Sequence, residues 1–363
     1  MSSPPADVDA IVIGAGAVGL ACACALATEG LDVLVVERHG RVGTETSSRN
    51  SGVIHAGIHG PIDSLKSRAC IAGRQRLYAW CAARNVPHRR TGKLIVAREG
   101  EVDTLDTLAH GAVERGLGVR RLDARDLARE EPLLRGRAAI EVAESGIVDA
   151  HAFVDSLRRA SLDRGAQLVL GHAVTRIDRE GSLWRVEAGS DALRARLVVN
   201  AAGLHADTVA ERAGLDVDAR GWRIHPWKGD YFRIDARGPT HALVYPLPVR
   251  GGLGVHLTRD ASGKLLAGPD ANPGDGYAVD AAKRDAFVDA VRRYWPSVDA
   301  DAFHPDYAGV RPKLRADGGF ADFVVAEEPA GLIHLIGIES PGLTASLELA
   351  EHVRLTWVTR DRI

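Results

Sequence analysis

Between Asp9 and Glu29 the chain carries no charge: residues 10–28 are apolar or small throughout. A run of that kind is nearly long enough to span a bilayer. Its internal order points elsewhere. Ala10-Ile11-Val12-Ile13 is a largely β-branched run that suits a buried parallel strand. It leads straight into Gly14-Ala15-Gly16-Ala17-Val18-Gly19, a G-x-G-x-x-G turn, and small residues then continue to Ala27, before Glu29-Gly30 closes a helix. Residues 31–36, LDVLVV, read as a second strand that ends at Glu37. Each glycine has a task in such a unit. Gly14 makes the tight turn, Gly16 lets backbone approach a pyrophosphate, and Gly19 allows close packing of helix on strand. The helix N-terminus offers N–H groups and partial positive charge to phosphates. An acid at Glu37 accepts hydrogen bonds from ribose hydroxyls and repels a 2′-phosphate, which disfavours NADP although Arg38 follows. Interrupting glycines and the lack of aromatic or basic anchors weigh against a membrane span. The unit predicts a βαβ dinucleotide site.

The rest of the chain is consistent with a globular enzyme. With 46 basic and 48 acidic residues the formal charge is −2, which gives no basic surplus for nucleic acid. Its 363 residues suffice for two domains. The four cysteines, Cys22, Cys24, Cys70 and Cys81, show neither C-x-x-C nor metal-ligand spacing. They suit a reducing compartment, and MSSPPADVD lacks the pattern of a signal peptide. A cytoplasmic location is expected, with peripheral contact with a membrane left open. Helices are predicted over 63–85, 101–117, 151–164, 280–295 and from about Leu343 onward. Strands are predicted over 92–97, 167–178, 184–187 and 331–338, with a strand-rich stretch at 222–270. Residues 197–203, LVVNAAG, form a second apolar strand ending in a small-residue turn.

These segments carry a resemblance. SSRNSGVIHAGI at 47–58, VVNAAGLHAD at 198–207 and GIESPGLTAS at 337–346 join the N-terminal motif. KGDYF at 228–232, VYPLP at 244–248, GLGVHLT at 252–258 and YAGVRPKL at 307–314 extend it. Together they resemble the FAD-dependent D-amino-acid-oxidase superfamily, and within it the L-2-hydroxyglutarate dehydrogenase group. The resemblance implies an α/β fold: a Rossmann-like FAD domain from discontinuous segments, 7–90, 146–220 and 318–363. A substrate domain with a mixed or antiparallel sheet would use 91–145 and 221–317, with non-covalent FAD between the two. Carried over, Gly14, Gly16, Ala17, Val18, Gly19, Glu37 and Arg38 would hold the ADP portion. Thr46, Ser47, Ser48, Arg49, Asn50 and Ser51 would line the pyrophosphate and ring edge. Val174 would meet the adenine through its backbone, and Ala201 and Gly203 would pass close to the dinucleotide. Gly342, Leu343 and Thr344, at a helix start, would face the flavin pyrimidine.

The implied reaction oxidises the CH–OH group of a small L-2-hydroxy acid, with a five-carbon diacid favoured. Electrons would leave to a quinone, an electron-transfer protein or oxygen. Amine or amino-acid oxidation (glycine, sarcosine or D-amino-acid type) and glycerol-3-phosphate oxidation are the alternatives. Such chemistry needs a cation for the carboxylate and a base for the hydroxyl proton. Arg311 suits the first, because its fork matches a carboxylate. Lys313 shares a face with it if the segment is extended. His55 and His256 are the candidate bases, since imidazole titrates near neutral pH. His59, Lys228 and Tyr245 are further candidate substrate contacts. One departure stands out: where similar sequences carry bulky residues after HAGI, this chain has His59-Gly60-Pro61.

Overall fold

The structure is a computed structural model that describes residues 5–248 and 254–360. Gly252 and Leu253 of the GLGVHLT stretch lie outside the described residues. The uncharged run resolves as its residue order demands. Val8–Ile13 is a strand, Ala17–Thr28 a helix and Val33–Glu37 the next strand. Val8–Ile13 pairs in parallel with both Val33–Glu37 and Asp191–Asn200. Gln167–Leu170 extends the sheet beyond Val33–Glu37, and Leu332–Ile336 extends it beyond Asp191–Asn200, both in parallel. In chain order the parallel strands therefore run 3-2-1-4-5, the order of a dinucleotide-binding sheet, with the nucleotide crevice at the carboxyl ends of the central strands.

Helix Ala17–Thr28 is buried on nearly every side, between Ala150–Leu162 and Gly342–Arg360. That explains the missing charges: a helix apolar all round belongs in a core. Leu20, Leu26, Phe153, Leu157 and Val353 fill this layer. The opposite face is covered by an antiparallel meander, Val174–Glu180, Leu183–Ala188 and the first half of Asp191–Asn200, with Trp184 and Val186 inward. The single strand expected over 167–178 is in fact two. Gly171, at φ +77, breaks it, so Gln167–Leu170 joins the parallel edge and Val174–Glu180 opens the meander.

A second, nine-stranded sheet is mixed. Lys93–Ala97, Val119–Asp123 and Ala138–Val142 come from one stretch of chain, and strands from His225–Ile234 to Phe303–Lys313 from another. One parallel pairing, Leu243–Pro246 on Lys93–Ala97, joins the two stretches. Phe232, Phe287, Tyr294 and Phe303 fill its core. The predicted 280–295 helix is shorter, a single turn at Ala281–Lys283 and then Arg284–Arg292. Among the described residues no helix is long and apolar enough to cross a membrane.

Candidate active site

The carboxyl ends of the parallel strands and the inner face of the mixed sheet enclose one long cavity of about 930 Å³. Its nucleotide end is built from the opening motif. Gly14 sits at φ +103, and a Cβ there would lie 2.6 Å from the Ala201 carbonyl oxygen. A Cβ on Gly16 would lie 2.9 Å from Ser47 Oγ, and one on Gly19 only 1.9 Å from the Gly14 carbonyl oxygen. Gly19 therefore packs helix on strand and does not line the cavity, as its motif role requires. The helix starts tell the same story. Ser64 and Asp149 cap their helices with side-chain oxygens, whereas Gly16 gives Ala17–Thr28 no side-chain cap and no acid sits in its first turn. The positive end of that helix is left facing the cavity.

Glu37 closes this end. Its Oε2 accepts the Ala15 N–H at 2.8 Å and its Oε1 the His39 N–H at 2.9 Å, which fixes the carboxylate at the strand tip. Arg38 also lines the cavity, with its guanidinium on Glu45. The hydroxyl-rich loop is pinned from inside. Asn50 Nδ2 donates to the Thr46 and Ser47 carbonyls, and its Oδ1 accepts the Gly52 N–H. Ser47 Oγ accepts the Ala17 N–H at 2.9 Å, and Thr46 Oγ1 donates to the Val310 carbonyl. Thr46, Ser47, Arg49, Asn50 and Ser51 line the cavity; Ser48 does not, and its hydroxyl donates to the Glu45 carbonyl. Val174, Ala201 and Gly203 line it too, with the Val174 carbonyl held by Arg212. Bare glycine backbone, a helix start whose first N–H alone is taken, by Ser47, and a strand-tip acid suit an adenine dinucleotide, whose phosphates would lie by Ala17 and Val18 and whose ribose would lie by Glu37.

At the other end the wall is made of histidines, tyrosines and cations. Gly342, Leu343 and Thr344 begin the helix Gly342–Arg360 and line it. Thr344 Oγ1 accepts the His55 N–H at 3.1 Å and donates to the Val53 carbonyl, so it locks the loop that carries His55. The His55 ring Nε2 lies 3.3 Å from Ser340 Oγ, and Cys70 Sγ donates to the His55 carbonyl. Burial, with Lys93, His59 and His256 adding like charge, holds the His55 imidazole well below its usual range. Burial pushes His59 and His256 down to about 3, so all three imidazoles are neutral near pH 7. His256 Nδ1 is 3.0 Å from the Gly254 carbonyl, and its ring stacks on Tyr245 at 3.8 Å.

Arg311 lies on Phe303–Lys313 and lines the cavity. Both terminal nitrogens donate to the Asp270 carbonyl at 3.2 Å. Lys313 follows on the same face; it reaches the Gly318 carbonyl at 3.0 Å and Glu339 at 3.4 Å. Lys66 Nζ meets the other Glu339 oxygen at 3.0 Å. Lys228 is the exception among the expected contacts. It pairs across the sheet with Val310, one residue off Arg311, so its side chain leaves by the other face and does not line the cavity. Its ammonium holds the Ala278 carbonyl and the buried Asp230 carboxylate, which Lys283 shares with Asp270. Lys228 therefore helps hold the segment that presents the Asp270 carbonyl to Arg311.

The sequence reading missed Lys66, Glu339, Tyr231 and above all Lys93. The signal for Lys93 was present: a lysine opening the otherwise apolar strand KLIVA, every residue of which is buried.

The sequence profile of the family described as FAD dependent oxidoreductase matches residues 9–354. The chain belongs to that family. This flavoenzyme is 39% identical to the mitochondrial L-2-hydroxyglutarate dehydrogenase of Arabidopsis thaliana, over 95% of its own length and 82% of the relative's. It is 29% identical to L-2-hydroxyglutarate dehydrogenase of Indibacter alkaliphilus, over 94% and 97%. Among solved structures, the L-alpha-glycerophosphate oxidase of Mycoplasma pneumoniae with FAD bound superposes with a TM-score of 0.87 at 24% identity, covering 96% of this flavoenzyme and 94% of that chain. At that identity the likeness is one of fold.

Proposed function

We propose that this flavoenzyme oxidises an L-2-hydroxy acid, with L-2-hydroxyglutarate as its substrate, to the 2-oxo acid. Arg311 carries the reading. Its guanidinium lines the cavity and, among the described residues, is held only by a backbone carbonyl, so its charge is left for a substrate carboxylate. Both curated relatives named above bear that substrate in their names. His55 takes the hydroxyl proton on Nε2, as a neutral imidazole fixed by Thr344 and Ser340. His256, with Nδ1 turned to a carbonyl and its ring under Tyr245, is placed as a wall group. FAD, held by the glycine turn and Glu37, would supply the acceptor for the hydrogen of C2 and its electron pair, with a quinone, an electron-transfer protein or oxygen as the final acceptor.

The test is anaerobic bleaching of the purified holoenzyme by L-2-hydroxyglutarate, its D enantiomer, glycerol 3-phosphate, glycine, sarcosine and D-amino acids. Rapid bleaching by L-2-hydroxyglutarate alone is expected. Bleaching by the amines, or by glycerol 3-phosphate, without the hydroxy acid would overturn the proposal.

A further inference from the structure

Lys93 is fully buried, and its Nζ has no hydrogen-bond partner. It opens the strand Lys93–Ala97, beside Val142 of the neighbouring strand. Its ammonium lies 4.1 Å from the centroid of the Tyr245 ring, which in turn stacks on His256. His55 and His59, in the loop after Ile54, and Cys70, on the helix Leu65–Ala83, lie near enough to feel its charge. None of these neighbours is an anion. The Cys70 thiol is pushed up to about 12 by burial and stays protonated, and the imidazoles stay neutral. Lysine itself is drawn down to about 8 by burial, and so keeps most of its charge at pH 7. Among the described residues the two lysines that line the cavity, Lys66 and Lys313, share Glu339, whereas Lys93, buried behind the wall, meets no carboxylate.

An unpaired buried ammonium is costly, and a methionine would fill the position without that cost. The wall in front of it holds further unpartnered atoms: His59 Nε2, His256 Nε2 and the Tyr245 hydroxyl, which lies near that of Thr258 without hydrogen-bond geometry. All three residues line the cavity. In a dry interior a cation acts through intervening rings over several ångströms. Among the described residues Arg311 and Lys93 are thus two cations without a counter-ion, and a diacid brings two negative charges.

We propose that Lys93 is the positioning residue for the second carboxylate of the substrate: it gives the His59–Tyr245–His256 wall the positive potential that selects a diacid over a monoacid of equal length. The inference rests on the 2-hydroxy-acid reading above and adds what sets its choice among such acids.

The experiment compares L-2-hydroxyglutarate with L-2-hydroxypentanoate, which has the same carbon count but one carboxylate. In Lys93→Met holoenzyme kcat/KM for the diacid should fall on the order of tenfold or more. The value for the monoacid should hold, and Lys93→Arg should restore part of the preference. Equal losses on both acids, or none, would overturn the proposal. A second reading uses the wild-type holoenzyme labelled at lysine Cε, where only six lysines are present. Glutarate should raise the titration midpoint of the Lys93 resonance, assigned from Lys93→Arg, and pentanoate should raise it less. An equal shift, or no shift, refutes it even if Lys93→Met does not fold. If neither hydroxy acid reduces the flavin, the oxidation reading falls, while glutarate against pentanoate still decides the role of Lys93.

Discussion

Single residues decide this site through what they lack. Among the described residues Arg311 meets no carboxylate, and Arg311→Ala should raise KM for L-2-hydroxyglutarate by about 100-fold, the scale of a lost charged contact. FAD content, read from the ratio of visible to ultraviolet absorbance, should not change, because Arg311 lies on the mixed sheet, away from the glycine turn. Gly14 lacks a Cβ, and Gly14→Ala should do the reverse. At φ +103, with the Ala201 oxygen 2.6 Å from the added carbon, it strains the turn by about 1–3 kcal/mol. The purified variant should carry little flavin. His55 lacks a charge: burial holds its pKa well below the usual imidazole range, so the neutral base persists below that range. The acid limb of kcat/KM for L-2-hydroxyglutarate should therefore lie below the ordinary imidazole range; a limb near 6.5 would point to an ordinary exposed histidine. The residue types were legible in the sequence, since an arginine after YAGV and a histidine in a glycine-rich loop both suggested substrate chemistry. How the three histidines differ was not, because all three carry the same ring and differ only in what lies against it: Ser340 against His55, Tyr245 against His256.

At the scale of elements, the glycine-rich turn and its helix were readable because they are local: strand, turn, helix and acid lie within one short stretch, and each constrains its neighbour. Two errors have the same root. The break at Gly171 and the outward face of Lys228 both depend on pairing with distant strands, and register is set across the sheet. One interior junction leads to a stability prediction. His334, on Leu332–Ile336, is fully buried between Asn200 Nδ2 at 3.0 Å and the Glu328 carbonyl at 2.9 Å. Its Nε2–H donates to the carbonyl and its Nδ1 accepts from the amide, so it must be neutral. Burial lowers it to about 4, and His256 to about 3. In the unfolded chain both titrate near 6.5, so below that pH the unfolded state takes up protons that the native state refuses. Stability should thus be full above pH 6.5 and fall by about 1.4 kcal/mol per pH unit for each histidine, down to about pH 4 for His334. Urea unfolding of wild type and His334→Gln across pH 4–7 checks this, and the variant should show the shallower slope.

For the whole molecule the cavity is the joint between two sheets, and a ligand that fills it ties them together. Adding FAD to apoprotein should raise Tm progressively, by the equivalent of about 2.7 kcal/mol at a hundredfold excess over Kd. Calorimetry should show one transition in the holoenzyme. A near-neutral formal charge of −2 means that any anion is drawn in by a few placed cations and not by the surface at large. By itself the sequence determined the dinucleotide unit, the α/β class and the residue types able to hold an acid, because glycine turns, apolar runs and capping patterns act over a few neighbouring residues. Only the tertiary structure decided that Lys228 turns away, that His256 lies under Tyr245, and that Lys93 stands buried with no counter-ion among the described residues. Those facts are distances between segments far apart in the chain, and no local pattern encodes how two sheets close on one cavity.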